Sequence, residues 1–235
     1  MATITTDDTG VAVLENLPLG IYYVKEVGTA YGYVLDGEPV VVDLSYRDQN
    51  TPVVIYDEDW QNNRQTVKIN ILKKEKNGSR VLEGGIFGLF AKEEIKSASG
   101  KVLIEKDEII ELKTTDARGE IHFIADLPMD AKYYVKEMYA PAGFANAEEV
   151  QEFTFEYAGD DQEMVAYSFT FEDEPTTVEI TKSDLTNGKE IPGCKLQVTD
   201  EDGKVVDEWI STDQPHVIQE LVAGKTYTLT ETQPA

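Results

Sequence analysis

Three ionisable residues, Lys73, Glu137 and Asp173, fall where strand-like runs call for apolar side chains. Side chains of a strand alternate between two faces, so parity tells which residues share one. Val67, Ile69, Ile71 and Lys73 share a parity, while Lys68, Asn70 and Lys74 lie between and beyond them. Tyr133, Val135 and Glu137 share a second face, and Tyr167, Phe169, Phe171 and Asp173 a third. This patterning aims a lysine, a glutamate and an aspartate into one core. Buried unpaired charges are prohibitively costly, so such groups pair, neutralise or react. Burial moves their pKa values by roughly 3–5 units. A desolvated lysine becomes a neutral amine and a nucleophile, and a desolvated glutamate keeps a proton it can relay. A neutral amine held against an activated carboxyl or carboxamide, away from water, has what amide formation needs. An aspartate would release water and an asparagine ammonia. The competing reading is a buried ion-pair cluster without covalent chemistry.

The pattern recurs. "YYVKE" occurs at Tyr22–Glu26 and at Tyr133–Glu137, and "YTLTE" closes at Glu231. Tyr22, Val24 and Glu26 share a face, as do Tyr227, Leu229 and Glu231, and as do Val178, Ile180 and Lys182. Glu26 is separated from Asn62 by the same distance along the chain as Glu137 from Asp173, which aligns Trp60 and Asn62 with Phe171 and Asp173. Asp57 is a rival acceptor that breaks this register. Lys182 has a second reading, reaching solvent along its own aliphatic stem.

Self-comparison divides the chain into a partial unit, 1–63, a complete unit, 64–175, and a partial unit, 176–235. "TTDDTGVAVLENLPLGIYYVKEVGTAYGY" and "TTDARGEIHFIADLPMDAKYYVKEMYAPAGF" both read turn, strand, Leu-Pro turn, strand ending in Glu, then a Gly–aromatic pair. "TVKINILKKEKNG" and "TVEITKSDLTNG" open the second and third units as a strand and an Asn-Gly turn. Only "NNRQ" and "EPTT" lie between units, which implies stiff junctions. Short alternating segments rich in Val, Ile, Thr, Tyr and Phe predict an all-β fold of tandem sandwiches. The stretch 91–110 reads as an insertion with room for a helical turn before a hairpin.

Composition narrows the function. With 45 acidic and 21 basic residues among 235, the net charge of −24 repels nucleic acid and anionic membranes and favours a monomer. No apolar run is long enough to insert in a bilayer. "MATITTDDTG" lacks the apolar core of a secretion signal, so an exported parent would carry its signal elsewhere. One cysteine, Cys194, excludes an internal disulfide, and two histidines, His122 and His216, give little support for a metal site or a histidine triad. Cys194 reads as a small core residue rather than a reactive thiol. "TDEDGKV" and "YAGDDQEM" read as acidic turns, since neither has the ligand spacing of a calcium loop. Tyr23 and Tyr134 face outward and read as packing residues rather than a ligand patch. No cofactor is implied.

The unit starts "INILKKEKNG" and "VEITKSDLTNGKEIPGCKLQV", with "LPLGIYYVKE", "LPMDAKYYVKEMYAPAGF" and the junction "FEDEPTTVEITK", resemble the B-type repeat domains of Gram-positive collagen-binding surface proteins. These are also called SpaA-type or prealbumin-like pilin domains. The resemblance covers nearly the whole chain and implies Ig-like, prealbumin-like sandwiches. It implies a spontaneous isopeptide bond with Lys73 as nucleophile, Asp173 as acceptor and Glu137 as proton shuttle. Many relatives carry Asn where Asp173 stands. Glu26 and Asn62 lack a lysine, and Lys182 and Glu231 lack an acceptor, so neither partial unit is expected to crosslink within one chain. The implied role is a structural module of a cell-surface stalk, pilin or adhesin shaft on the wall of a Gram-positive bacterium, next to other repeat domains. The chemistry would be a single self-modification, not turnover. Two alternatives are an adhesin domain that grips a host matrix protein or glycan, and a hydrolytic carboxylate pair.

Overall fold

The computed structural model describes residues 1–51 and 53–235, and among these every regular element is a strand. Residues Met1–Gln65 pack with Tyr157–Glu163 as one unit, and Thr66–Glu156 with Met164–Ala235 as another.

In the first unit β1 (Ile21–Val24) pairs antiparallel with β2 (Val40–Asp43). No other strand forms in residues 1–65 among those described, so Trp60 and Asn62, aligned in sequence with Phe171 and Asp173 of β12, lie outside any strand. With no second sheet to cover it, the expected inward face is open: Val24 is 43% exposed, and Glu26 lies beyond the end of β1. The loop Tyr157–Glu163, expected in the middle unit, packs here instead. Its anchor is Gln65, whose fully buried amide donates to the carbonyls of Gly159 and Gln162 and accepts from Ala158 N–H. Tyr157 also packs its ring on Tyr31, centroids 4.7 Å apart.

The middle domain is the sandwich the alternation calls for. Its strands are β3 (Thr66–Glu75), β4 (Ile86–Ala91), β5 (Ile95–Lys96), β6 (Val102–Ile104), β7 (Ile109–Thr114), β8 (Glu120–Ala125), β9 (Ala131–Tyr139), β10 (Phe144–Ala145), β11 (Val150–Phe155) and β12 (Met164–Pro175). One sheet has the order β10-β12-β3-β8 and the other β11-β9-β4-β7. The inner faces bury Val67, Ile69 and Ile71 against Phe87, Leu89, Tyr133 and Val135. All pairings in the two sheets are antiparallel except β3 with β12, which run parallel. The first and last strands of the domain are therefore neighbours. The stretch 91–110 holds the hairpin β5–β6 and no helical turn. Tyr134 lies stacked on Phe90, and Tyr23 is largely exposed.

The third domain has β13 (Thr177–Ile180) paired with β16 (His216–Gln219), and a sheet of β15 (Val205–Ile210), β14 (Lys195–Thr199) and β17 (Thr228–Gln233) in that order. Of the face expected to bury Tyr227, Leu229 and Glu231, the β14 partners Leu196 and Val198 are buried, while on the edge strand β17 Leu229 is 49% exposed. β13 stops before Lys182. The acidic turn at 199–205 is closed by its own carboxylate: Asp200 Oδ1 accepts from the N–H groups of Asp202 and Lys204. Cys194 is buried, as its sequence context suggests.

Adjacent residues on β8 test the parity. Phe123 is fully buried and Ile124 is 56% exposed. Phe123→Ala is expected to cost about 3–5 kcal/mol and Ile124→Ala about 0.5 kcal/mol or less, compared by denaturant midpoints. Equal losses would contradict this assignment of the two faces.

Candidate functional site

Three strands deliver the triad. Lys73 lies near the end of β3 and Asp173 near the end of β12, where Lys73 is registered with Phe171 and Glu75 with Asp173. Glu137 comes from β9 in the opposite sheet, opposite Phe87. Every one of these side chains continues an apolar parity, so folding the two sheets together forces them to meet. Lys73, Glu137 and Asp173 are 1%, 2% and 0% exposed. Lys73 Nζ lies 3.0 Å from Glu137 Oε2 and 2.5 Å from Asp173 Oδ1. Asp173 Oδ1 also accepts weakly from Ala147 N–H at 3.4 Å. Glu137 Oε1 and Asp173 Oδ2 are buried without a hydrogen-bond partner among the described residues.

Two carboxylates therefore face one ammonium in a dry site. Burial pushes the Glu137 carboxyl up to about 7, and the Asp173 charge pushes the same way, while Lys73 pulls it down. Glu137 is thus the group that holds an exchangeable proton near neutral pH. Since the folded value lies above the ordinary 4.5, the folded chain keeps a proton that the unfolded chain sheds. The stability tied to Glu137 is complete below about pH 4.5 and is lost as pH rises through about 7.

The surround is apolar. Lys73 Nζ lies 5.7 Å from the Phe87 ring centroid, and Phe87 meets Phe171 edge to face at 4.9 Å. Gly85 leaves room for the carboxyl, because a Cβ there would lie 3.1 Å from Glu137 Oε1. Phe87, Gly85 and Ala147 went unrecognised in the sequence. The "GG" before β4 was the available signal for Gly85, and nothing local marks a backbone N–H such as that of Ala147.

The partial sites differ. In the first unit Asn62 Nδ2 donates to Glu26 Oε2 at 2.6 Å and to the Val34 carbonyl at 2.9 Å, while Asp57 is exposed. In the third domain Lys182 Nζ lies 2.9 Å from Glu231 Oε2, each side chain 34% exposed. The Lys182 hydrogen bond holds the Glu231 carboxyl below its ordinary range, opposite to Glu137. Cys194 stands just before β14 as Gly85 stands just before β4, and its thiol is a further hydrogen-bond partner that lowers Glu231. Equivalent glutamates thus sit in opposite protonation environments, because Glu137 is 2% exposed whereas the Glu231 side chain is 34% exposed.

A family model described as SpaA, prealbumin-like fold domain, matches residues 1–59, 67–168 and 176–235. Among solved structures, the Bacillus anthracis TIE protein is similar at 27% identity and a TM-score of 0.58, over 98% of this chain and 39% of that one. The chain thus spans about two fifths of that protein's length. A Streptococcal ancillary pilin aligns at 21% identity and a TM-score of 0.36, over 94% of this chain and 70% of its own. The shaft pilin spaA from Lactobacillus rhamnosus GG aligns at 14% and 0.36, over 73% and 88%. No curated protein matches.

Removing the cation leaves two carboxylates buried together. Measured against a chain that has not closed an amide, Lys73→Met is expected to cost about 3–5 kcal/mol at pH 8 and less at pH 5, where Glu137 is protonated. Denaturant midpoints at the two pH values check this, and a loss as large at pH 5 as at pH 8 would contradict the charge assignment.

Proposed function

Since this chain belongs to the family of SpaA prealbumin-like fold domains, we propose that its middle domain closes an amide between Lys73 and Asp173, and that the chain is a structural module of a Gram-positive cell-surface shaft, pilin or adhesin stalk. The observation that carries the reading is the fully buried Lys73 amine held at contact with Asp173 while Glu137, across the core, holds a proton.

The step balances as a condensation. Lys73 passes its ammonium proton to the Asp173 carboxylate it touches, the protonated Glu137 carboxyl polarises the resulting Asp173 carboxyl, and the neutral Nζ attacks Asp173 Cγ. The tetrahedral intermediate collapses with loss of one water, and Glu137 carries protons from the amine to the departing oxygen. Burial disfavours the charged reactants and favours the neutral amide, so the product removes two charges from the core. The site has no way to regenerate, so each chain reacts once.

The topology gives the bond its use. It joins parallel first and last strands, so tension entering β3 leaves through β12 after crossing one amide. The closed loop holds 100 residues, worth about 4–5 kcal/mol of unfolded-state entropy by analogy with a disulfide. Unlike a disulfide, an amide survives reduction, which suits a chain with one cysteine in a stalk exposed outside the cell.

Glu137→Ala and Glu137→Gln are both expected to leave the chain unlinked. On denaturing gels the unlinked variants migrate as extended chains, more slowly than the looped wild type, and wild-type mobility in either variant would remove the shuttle role. Pulled by its ends, the wild-type middle domain is expected to withhold about 350 Å of contour length that Glu137→Ala releases.

A further inference from the structure

The Gly–aromatic pair that recurs in the repeats, Gly32–Tyr33 and Gly143–Phe144, plays no part in the triad. Gly143 is buried with φ +84, and a Cβ on it would lie 2.7 Å from the Glu220 carbonyl oxygen of the third domain. Only glycine allows so close an approach in that backbone conformation. Thr176, the one residue between β12 and β13, is bonded to both sides. Its N–H donates to the Gly143 carbonyl at 2.9 Å, and its own carbonyl accepts from Glu220 N–H at 2.9 Å. Its hydroxyl donates to the Leu221 carbonyl at 2.6 Å.

Arg80, just past the Asn-Gly turn of the middle domain, adds a side-chain fork. Its Nη1 and Nη2 donate to Glu220 Oε2 and Oε1 at 3.1 and 2.6 Å. Its Nε donates to Glu75 at 3.1 Å, and the guanidinium lies 5.0 Å from the Phe144 ring centroid. Glu75, Arg80 and Phe144 belong to the middle domain and Glu220 to the third, so a planar cation held on its own domain reaches across to one carboxylate. A half-exposed ion pair contributes little energy by itself, but a bidentate fork specifies orientation. The backbone part of this arrangement recurs in the first unit, where Gln65 N–H donates to the Gly32 carbonyl at 2.9 Å, across the same sequence spacing, with Gly32 at φ +88.

We propose that the Gly–aromatic pair and the linker residue it accepts form a joint, and that Arg80 and Glu220 lock it so that the third domain keeps one orientation on the middle domain. The interface lies within one chain and stands independently of amide closure. Its chemistry is a glycine-lined backbone seat, a threonine pin and an arginine–carboxylate fork.

Residual dipolar couplings on the isotopically labelled 235-residue chain test it. One alignment tensor is expected to fit both domains of the wild type. In Arg80→Ala combined with Gly143→Ala the third domain is expected to lose that common tensor. Arg80→Glu with Glu220→Arg, which reverses the fork, is expected to restore it. Should Gly143→Ala disturb folding, Arg80→Ala with Glu220→Ala, both at exposed positions, makes the same measurement, with unchanged β3 and β12 shifts as the control. Two tensors in the wild type, or one tensor surviving the loss of the lock, would overturn the joint.

Discussion

Lys73 Nζ stands 3.0 Å from Glu137 and 2.5 Å from Asp173 in a site that solvent barely reaches, and the two carboxylates compete for a single cation. That imbalance governs the middle domain. A surface cluster of this composition would be nearly neutral in energy, whereas a buried one must hold a proton or change its covalent structure. The proton settles on Glu137 because burial raises it and the Asp173 charge raises it further. The orphaned Glu137 Oε1 and Asp173 Oδ2 mark the same imbalance in hydrogen bonding. Amide closure would relieve both.

The fold supplies what this cluster requires. Glu137 must come from one sheet and its two partners from the other, which only a sandwich with a shared interior provides. Lys73 and Asp173 must lie on adjacent strands, and the parallel pairing of β3 with β12 makes the domain's two ends neighbours. The same pairing makes a covalent link mechanically useful. Gly85 keeps Glu137 uncrowded, and the third domain shows the alternative, with a cysteine in the corresponding place and a solvated Lys182–Glu231 pair. Chemistry and load path therefore depend on one structural choice, the closing of a second sheet.

Much of this was legible in the sequence, for a definite reason. β3 alternates over ten residues, long enough for parity to place Lys73 inward without ambiguity, and β9 and β12 do the same for Glu137 and Asp173. Parity failed where burial needs a partner layer. Val24 has the right spacing but its two-stranded sheet has no described partner sheet in the first unit, and Leu229, on the sheet-edge strand β17, stays 49% exposed beside the buried Val198. Trp60 and Asn62 align with Phe171 and Asp173 of β12 in sequence, yet no strand forms around them among the described residues. In 91–110 the hairpin forms as β5–β6, without the helical turn the stretch had room for. Long-range polar contacts were not legible at all. Gln65 reads as a linker residue, but its amide is satisfied by three backbone groups nearly a hundred positions later.

The intact mass of the purified, denatured chain tests amide closure most directly. Condensation of Lys73 with Asp173 requires a mass below the sequence formula by one water. A folded chain whose mass equals the formula would contradict it, and would leave the triad as a buried ion-pair cluster.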